Sequence, residues 1–124
     1  MYEITITDHI DSAHHLEGYQ GACQRPHGHR FTITVTVQGK ELDTKGMLID
    51  FKMVKDILKE EVIDKLDHYD LNEVPPFSTS IQNFRYNPTA ENIARYVYDK
   101  LKNITGLVKV RIYESPDCWA EYWL

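Results

Sequence analysis

The chain is predicted to fold as an α+β domain, an antiparallel four-stranded sheet with two helices on one face, and three observations carry that prediction. Segments near the start alternate apolar and polar residues with period two, the middle carries two apolar patterns at i, i+3 and i+4, and the last third returns to alternation. The order strand, strand, helix, helix, strand, strand buries its apolar faces by laying both helices against one side of a single sheet. With 124 residues the chain holds one domain, residues 1–124, in which folding removes roughly two thirds of the unfolded surface from water.

The first strand is read from Tyr2, Ile4 and Ile6, which alternate with Glu3, Thr5 and Thr7. The same parity carries Asp8, Ile10, Ser12 and His14 onto the face of Ile4 and Ile6. Leu16 to Gln24, with Gly18 and Gly21, is the expected loop to a second strand from His27 to about Gln38. In that strand His27 and His29 share a face with Phe31, Ile33, Val35 and Val37. Asp43-Thr44-Lys45-Gly46 turns the chain, and Asp50 is the expected N-cap of a helix ending near Leu66, with Phe51, Val54, Ile57, Leu58, Val62 and Ile63 as its apolar stripe. A long irregular stretch then runs through Pro75 and Pro76 to Asn87, and loops of that length inside a compact domain are often functional. The second helix is expected to begin with Asn87 as N-cap and Pro88 as its first residue. It carries Ala90, Ile93, Ala94, Val97 and Leu101 toward the core, and Asn103 and Gly106 mark its end. Val108, Val110 and Ile112 alternate with Lys109 and Arg111 in a third strand, Ser115-Pro116-Asp117 turns, and Trp119 to Leu124 return.

Composition excludes several classes of partner. An apolar fraction of 42% and a charged fraction of 27% are those of a soluble globular domain. The net charge of -5, without any long Lys/Arg block, gives no electrostatic footprint for nucleic acid. No apolar run approaches the ~20 residues that span a bilayer, and no export signal pattern is present, so neither membrane insertion nor secretion is expected. A cytoplasmic location follows as the expectation, with Cys23 and Cys118 reduced.

The chemistry is concentrated at the mouth of the second strand. His27-Gly28-His29 places two ring nitrogens on one face, and His14 reaches the same face if the first strand stays extended; neighbouring His15 competes for that place, and parity favours His14. Three neutral imidazoles would form a zinc site of catalytic type, because a fourth position stays open for water or substrate; the competing reading is two core or surface histidines at a strand edge. Cys23, four residues before His27, is either a base or nucleophile beside the metal, or a fourth ligand that closes the site and makes it structural. Asp67-His68 is either a helix cap or a carboxylate orienting an imidazole for proton transfer. Parity puts Glu114 at the end of the apolar face of Val108, Val110 and Ile112, where a carboxylate needs a partner. Arg111 or a cation on another strand is one candidate partner, and the paired N–H groups of an amidine-like heterocycle are the other.

Six segments in this order resemble one known family: Ala13-His14-x-Leu16, Cys23-x3-His27-Gly28-His29, Gly46-Met47-Leu48-Ile49-Asp50-Phe51, Leu66-Asp67-His68-x2-Leu71-Asn72, Pro88-Thr89-x-Glu91-Asn92, and Glu114. They are similar to those of the 6-pyruvoyl- and 6-carboxytetrahydropterin synthases, over nearly the whole chain. The resemblance implies a tunnelling fold whose sheets close into a barrel by oligomerisation, as a homohexamer of two stacked trimers, with sites between subunits. It implies Zn2+ held by His14, His27 and His29, Cys23 as the proton-transferring base, Asp67 and His68 as its partner dyad, and Glu114 as the anchor of a pterin ring. The implied substrate is 7,8-dihydroneopterin triphosphate. The carboxy-forming carbon-carbon lyase of queuosine biosynthesis is the preferred branch, with the pyruvoyl-forming, phosphate-eliminating lyase second. A non-catalytic zinc-stabilised binding module is the competing reading from another class.

Overall fold

Strands β1 (Tyr2–His14) and β2 (His27–Gly39) pair antiparallel along their full lengths in the computed structural model, which describes residues 1–81 and 84–124. Every even residue of β1 from Ile4 to His14 lies opposite an odd residue of β2, and this is the face the core covers: Ile6, Ile10, Phe31, Ile33, Val35 and Val37 are all buried. β5 (Leu107–Ser115) pairs with β2 and β6 (Cys118–Trp123) with β5, both antiparallel, giving the sheet order β1-β2-β5-β6. The expected four-stranded sheet is therefore present.

Its helices lie on the same side. Asp50 caps α1 (Phe51–Leu58) as expected, its carboxylate accepting the Lys52 N–H at 2.8 Å. The chain continues through a π-helical turn (Lys59–Ile63) into α2 (Asp64–Leu66). The buried stripe is Val54, Leu58, Val62 and Leu66, a repeat of four. In an α-helix each such step overshoots a full turn by about 40°, and the looser π turn takes part of that advance back, keeping the stripe on the sheet. Phe51, expected in the stripe, is the first residue of the helix and is 55% exposed.

α3 (Ala90–Leu101) buries Ala90, Ile93, Ala94, Val97 and Leu101 as expected, but it starts two residues later than the Asn87-Pro88 pattern suggests. Thr89 is the N-cap: its hydroxyl accepts the Asn92 N–H at 3.1 Å, while the Asn87 amide is occupied by the Glu17 backbone. The stretch before it is less irregular than expected. It holds a short 3-10 turn (Leu71–Glu73) and a small hairpin of β3 (Ser80–Ile81) and β4 (Phe84–Arg85), residues 82 and 83 of the stretch lying outside the described residues. Phe77 is fully buried and stacks on Tyr86, which ties this stretch to the core.

Two bulges adjust β5. Between Thr36 and Val37 the register shifts so that Leu107, not Val108, lies opposite Val37 and packs on the core. Parity counted straight through that bulge is what assigns Val108 wrongly. A second shift, between Tyr113 and Ser115, isolates Glu114.

The segment after α2 closes part of the outer edge of β1. The Asp67 carboxylate accepts the Asp11 N–H at 2.8 Å, the Tyr69 carbonyl accepts the Ala13 N–H at 3.1 Å, and the His68 N–H donates to the Asp11 carbonyl at 2.8 Å. Ser12, on the core face, donates its hydroxyl to the Leu66 carbonyl at 2.6 Å and so satisfies the helix end.

Gly106 shows where the backbone permits no side chain. Its φ is +85°, and a Cβ there would stand 2.3 Å from the Gln38 carbonyl oxygen. Gly106→Ala is expected to lower stability by about 2 kcal/mol or more in urea denaturation. Gly46→Ala, with a similar φ of +81° but open space around it, should cost only about 1 kcal/mol.

Candidate metal centre and active site

The antiparallel register sets His14 directly opposite His27, and His29 opposite Ser12, so three imidazoles gather where the hairpin of β1 and β2 opens. Their ring centroids form a nearly equilateral triangle with edges of 4.6, 4.8 and 5.1 Å. Phe31 forms its floor, 5.1 Å from His14 and 5.5 Å from His29. His15, the rival third imidazole, stays out: its backbone is clamped by Asn72, whose side chain accepts the His15 N–H at 2.9 Å and donates to the His15 carbonyl at 3.0 Å.

Backbone carbonyls fix two of the rings. The Pro88 carbonyl accepts from His14 Nδ1 at 2.8 Å, and the Arg25 carbonyl accepts from His27 Nδ1 at 2.6 Å. A proton held on Nδ1 leaves the Nε2 lone pair free, which is the tautomer a metal requires. His14 is 1% exposed, and its burial, opposed by the Pro88 carbonyl and assisted by His27 and His29, holds its pKa below the ordinary imidazole value. At neutral pH it is an uncharged donor.

All three Nε2 atoms, of His14, His27 and His29, are buried without a hydrogen-bond partner. An unsatisfied buried polar atom costs about 1–3 kcal/mol, so three of them converging on one point describe a site built for a metal ion. Glu114 joins them: its bulge keeps the parity of Ile112, and its ligand oxygen lies within 4.8 Å of the three nitrogens, which themselves lie within that distance of one another. The alternative pairing of Glu114 with Arg111 is not made. Arg111 is bound to Glu121 and stacks on Trp119, 4.7 Å from the ring.

Cys23 sits in a 3-10 turn (Ala22–Gln24) tied to the end of β1 by the Leu16 N–H, which donates to the Cys23 carbonyl at 2.8 Å. It is a free thiol, as is Cys118. Both line a cavity of about 370 Å³ together with His27, His29 and Glu114, yet Cys23 is not in the group whose ligand atoms converge. Asp67 and His68 are placed elsewhere. His68, with its side chain 78% exposed and φ of 63°, lines a second hollow with Asp11 and Arg30, which shares His29 with the first. The Asp67 carboxylate lies 3.0 Å from His68 Nδ1. Among the described residues no hydrogen bond or ion pair joins Asp67 or His68 to Cys23. The carbonyls of Pro88 and Arg25 were not foreseen as parts of the site, since a backbone acceptor leaves no residue type to read.

A sheet hairpin that ends in an imidazole tripod, with a carboxylate and a thiol at its rim, defines an α+β protein able to hold a metal ion. The chain belongs to the 6-pyruvoyl tetrahydropterin synthase family, whose model matches residues 3–124. It is 34% identical to the 6-carboxy-5,6,7,8-tetrahydropterin synthase of Haemophilus influenzae, over 98% of this chain and 99% of that protein. It is 36% identical to the protein of the same name from Bacillus subtilis, over 98% and 84%. The solved 6-pyruvoyl tetrahydropterin synthase of Caenorhabditis elegans superposes with a TM-score of 0.85 at 28% identity, covering 99% of this chain and 95% of that one. The tunnelling fold expected from the resemblance is the fold of this chain, and its relatives are pterin synthases. No helix among the described residues is long and apolar enough to cross a membrane.

Two predictions follow from the hydrogen bonds around the site. Thr89 holds the turn whose Pro88 carbonyl orients His14, so Thr89→Ala should weaken metal binding about tenfold in a chelator competition, and Thr89→Ser should restore it. The Asp67 carboxyl is held below its ordinary value of 3.8, first by the Asp11 N–H and also by His68, against a partial desolvation that raises it. A folded pKa below the unfolded one adds stability that is complete above 3.8 and is lost as pH falls through the folded value. Asp67→Asn should therefore be less stable than the parent at neutral pH, and the gap should close in acid, read as urea midpoints at about pH 7 and about pH 3.

Proposed function

We propose that the chain is a zinc-dependent 6-carboxy-5,6,7,8-tetrahydropterin synthase, converting 7,8-dihydroneopterin triphosphate and water to 6-carboxytetrahydropterin, acetaldehyde and triphosphate on the route to queuosine. The observation that carries the reading is the set of three convergent, partnerless Nε2 atoms beside a cavity lined by His27, His29, Cys23 and Glu114. The names of the bacterial relatives support the carboxy-forming branch.

His14, His27 and His29 hold the zinc, which supplies Lewis acidity toward the oxygens of the substrate side chain. The Glu114 carboxylate accepts the paired N–H groups of the pterin's amino-pyrimidine edge, a charge-assisted contact that orients the ring. Cys23, outside the convergent ligand set, is free to take a proton from the substrate side chain and return it. Asp67 orients His68 as the second proton carrier. Because the hollow that His68 lines does not reach Cys23, the complete site takes the pair from a neighbouring copy. This agrees with a homohexamer of two trimers whose sheets pair into a barrel. The enzyme works in the cytoplasm on a small-molecule substrate.

The pyruvoyl-forming reaction is the second reading, favoured by the likeness to the Caenorhabditis elegans enzyme. Incubation of the zinc-loaded protein with 7,8-dihydroneopterin triphosphate is expected to release acetaldehyde; triphosphate without acetaldehyde selects the pyruvoyl branch. Cys23→Ala should keep stoichiometric zinc and lose turnover by about 100-fold or more. Loss of zinc in that variant would instead identify Cys23 as a structural ligand of a binding module.

A further inference from the structure

Glu114 stands closer to the imidazoles than anchoring a substrate requires. Its Oε1 lies 3.2 Å from His29 Nε2 and 3.5 Å from His14 Nε2, yet neither nitrogen makes a hydrogen bond. Ligand atoms set 2.0–2.1 Å from a tetrahedral zinc ion are about 3.4 Å apart along each edge of the tetrahedron. The carboxylate oxygen thus occupies the place of a fourth ligand. An imidazolium–carboxylate pair would be closed by a hydrogen bond, and neither Nε2 makes one to this oxygen. The bulge at Glu114 releases this residue from the regular ladder, and its side chain, 34% exposed, borders the cavity it would move into.

We propose that Glu114 is the fourth metal ligand of the substrate-free protein, and that it leaves the metal for the substrate's N–H edge when the substrate binds. The second half rests on the pterin reading; the closed resting site does not. Three imidazoles and a carboxylate leave no vacant position, so neither water nor the neighbouring Cys23 reaches the metal. A thiolate is the better zinc ligand, and without Glu114 in place Cys23 could close the site permanently. The carboxylate keeps the thiol free until the substrate arrives.

The test uses protein loaded with Co2+, whose visible absorption reports coordination, titrated with azide as a probe of a free position. Glu114→Ala is expected to bind azide roughly tenfold more tightly than the parent, and Glu114→Gln, which keeps the side-chain volume, to shift the same way. Equal azide affinity in parent and both variants overturns the closed site. A pterin lacking the C6 side chain is then added and its binding followed by fluorescence. It is expected to raise the azide affinity of the parent toward that of Glu114→Ala. A pterin that binds and leaves azide affinity unchanged overturns the exchange. Failure of the pterin to bind, with the azide difference intact, overturns the substrate reading and leaves the closed metal site standing.

Discussion

Pairing between β1 and β2 is the constraint on which the rest of the molecule depends. The same register that lays Ile6 against Val35 and Ile10 against Phe31 lays His14 against His27. Because side chains alternate with period two, a slip of one residue would turn both the core and the candidate metal ligands to the other face. The apolar end of the hairpin therefore guards the polar end. Burial of Ile10, Phe31 and Ile33 holds in place imidazoles whose Nε2 atoms are unsatisfied without an ion.

The metal centre is also tied to the helices through backbone rather than side chains. The Pro88 carbonyl serves His14, and the helix is capped at the next residue, where the Thr89 hydroxyl takes the Asn92 N–H. Asn92 in turn donates its side-chain amide to the Asn87 carbonyl at 2.9 Å, closing the turn from inside. On the loop side the 3-10 turn at Cys23 sets the Arg25 carbonyl against His27. The start of α3 and the loop between β1 and β2 thus orient one ligand each.

Much of this was legible in the sequence, and the parts that were not share a cause. Strict alternation identified the face shared by His14, His27, His29 and Glu114, because period two survives wherever the backbone stays extended. It misassigned Val108 where a bulge inserts a residue into β5. The stripe of α1 was read with α-helical spacing and so included Phe51, whereas the true repeat of four is accommodated by a π turn that no residue type announces. Asn87 and Thr89 are both good caps by composition, and only the long-range bond from Asn87 to Glu17 decides between them. The spatial separation of Cys23 from Asp67-His68 depends on which side of the sheet each loop crosses, which alternation within one strand does not encode.

The segment from Asp67 to Tyr69 on the outer edge of β1 sets a measure for whatever pairs there. Odd-numbered residues of β1 point their N–H groups outward; those of Asp11 and Ala13 are taken by Asp67 and Tyr69, and that of His9 by the Asp8 side chain at 2.8 Å. Glu3, Thr5 and Thr7 are left to receive another strand. An incoming strand meets a stop after about 24 Å, seven residues at 3.4 Å each. The helix end that positions Asp67 also fixes how far a neighbouring chain can advance along this edge.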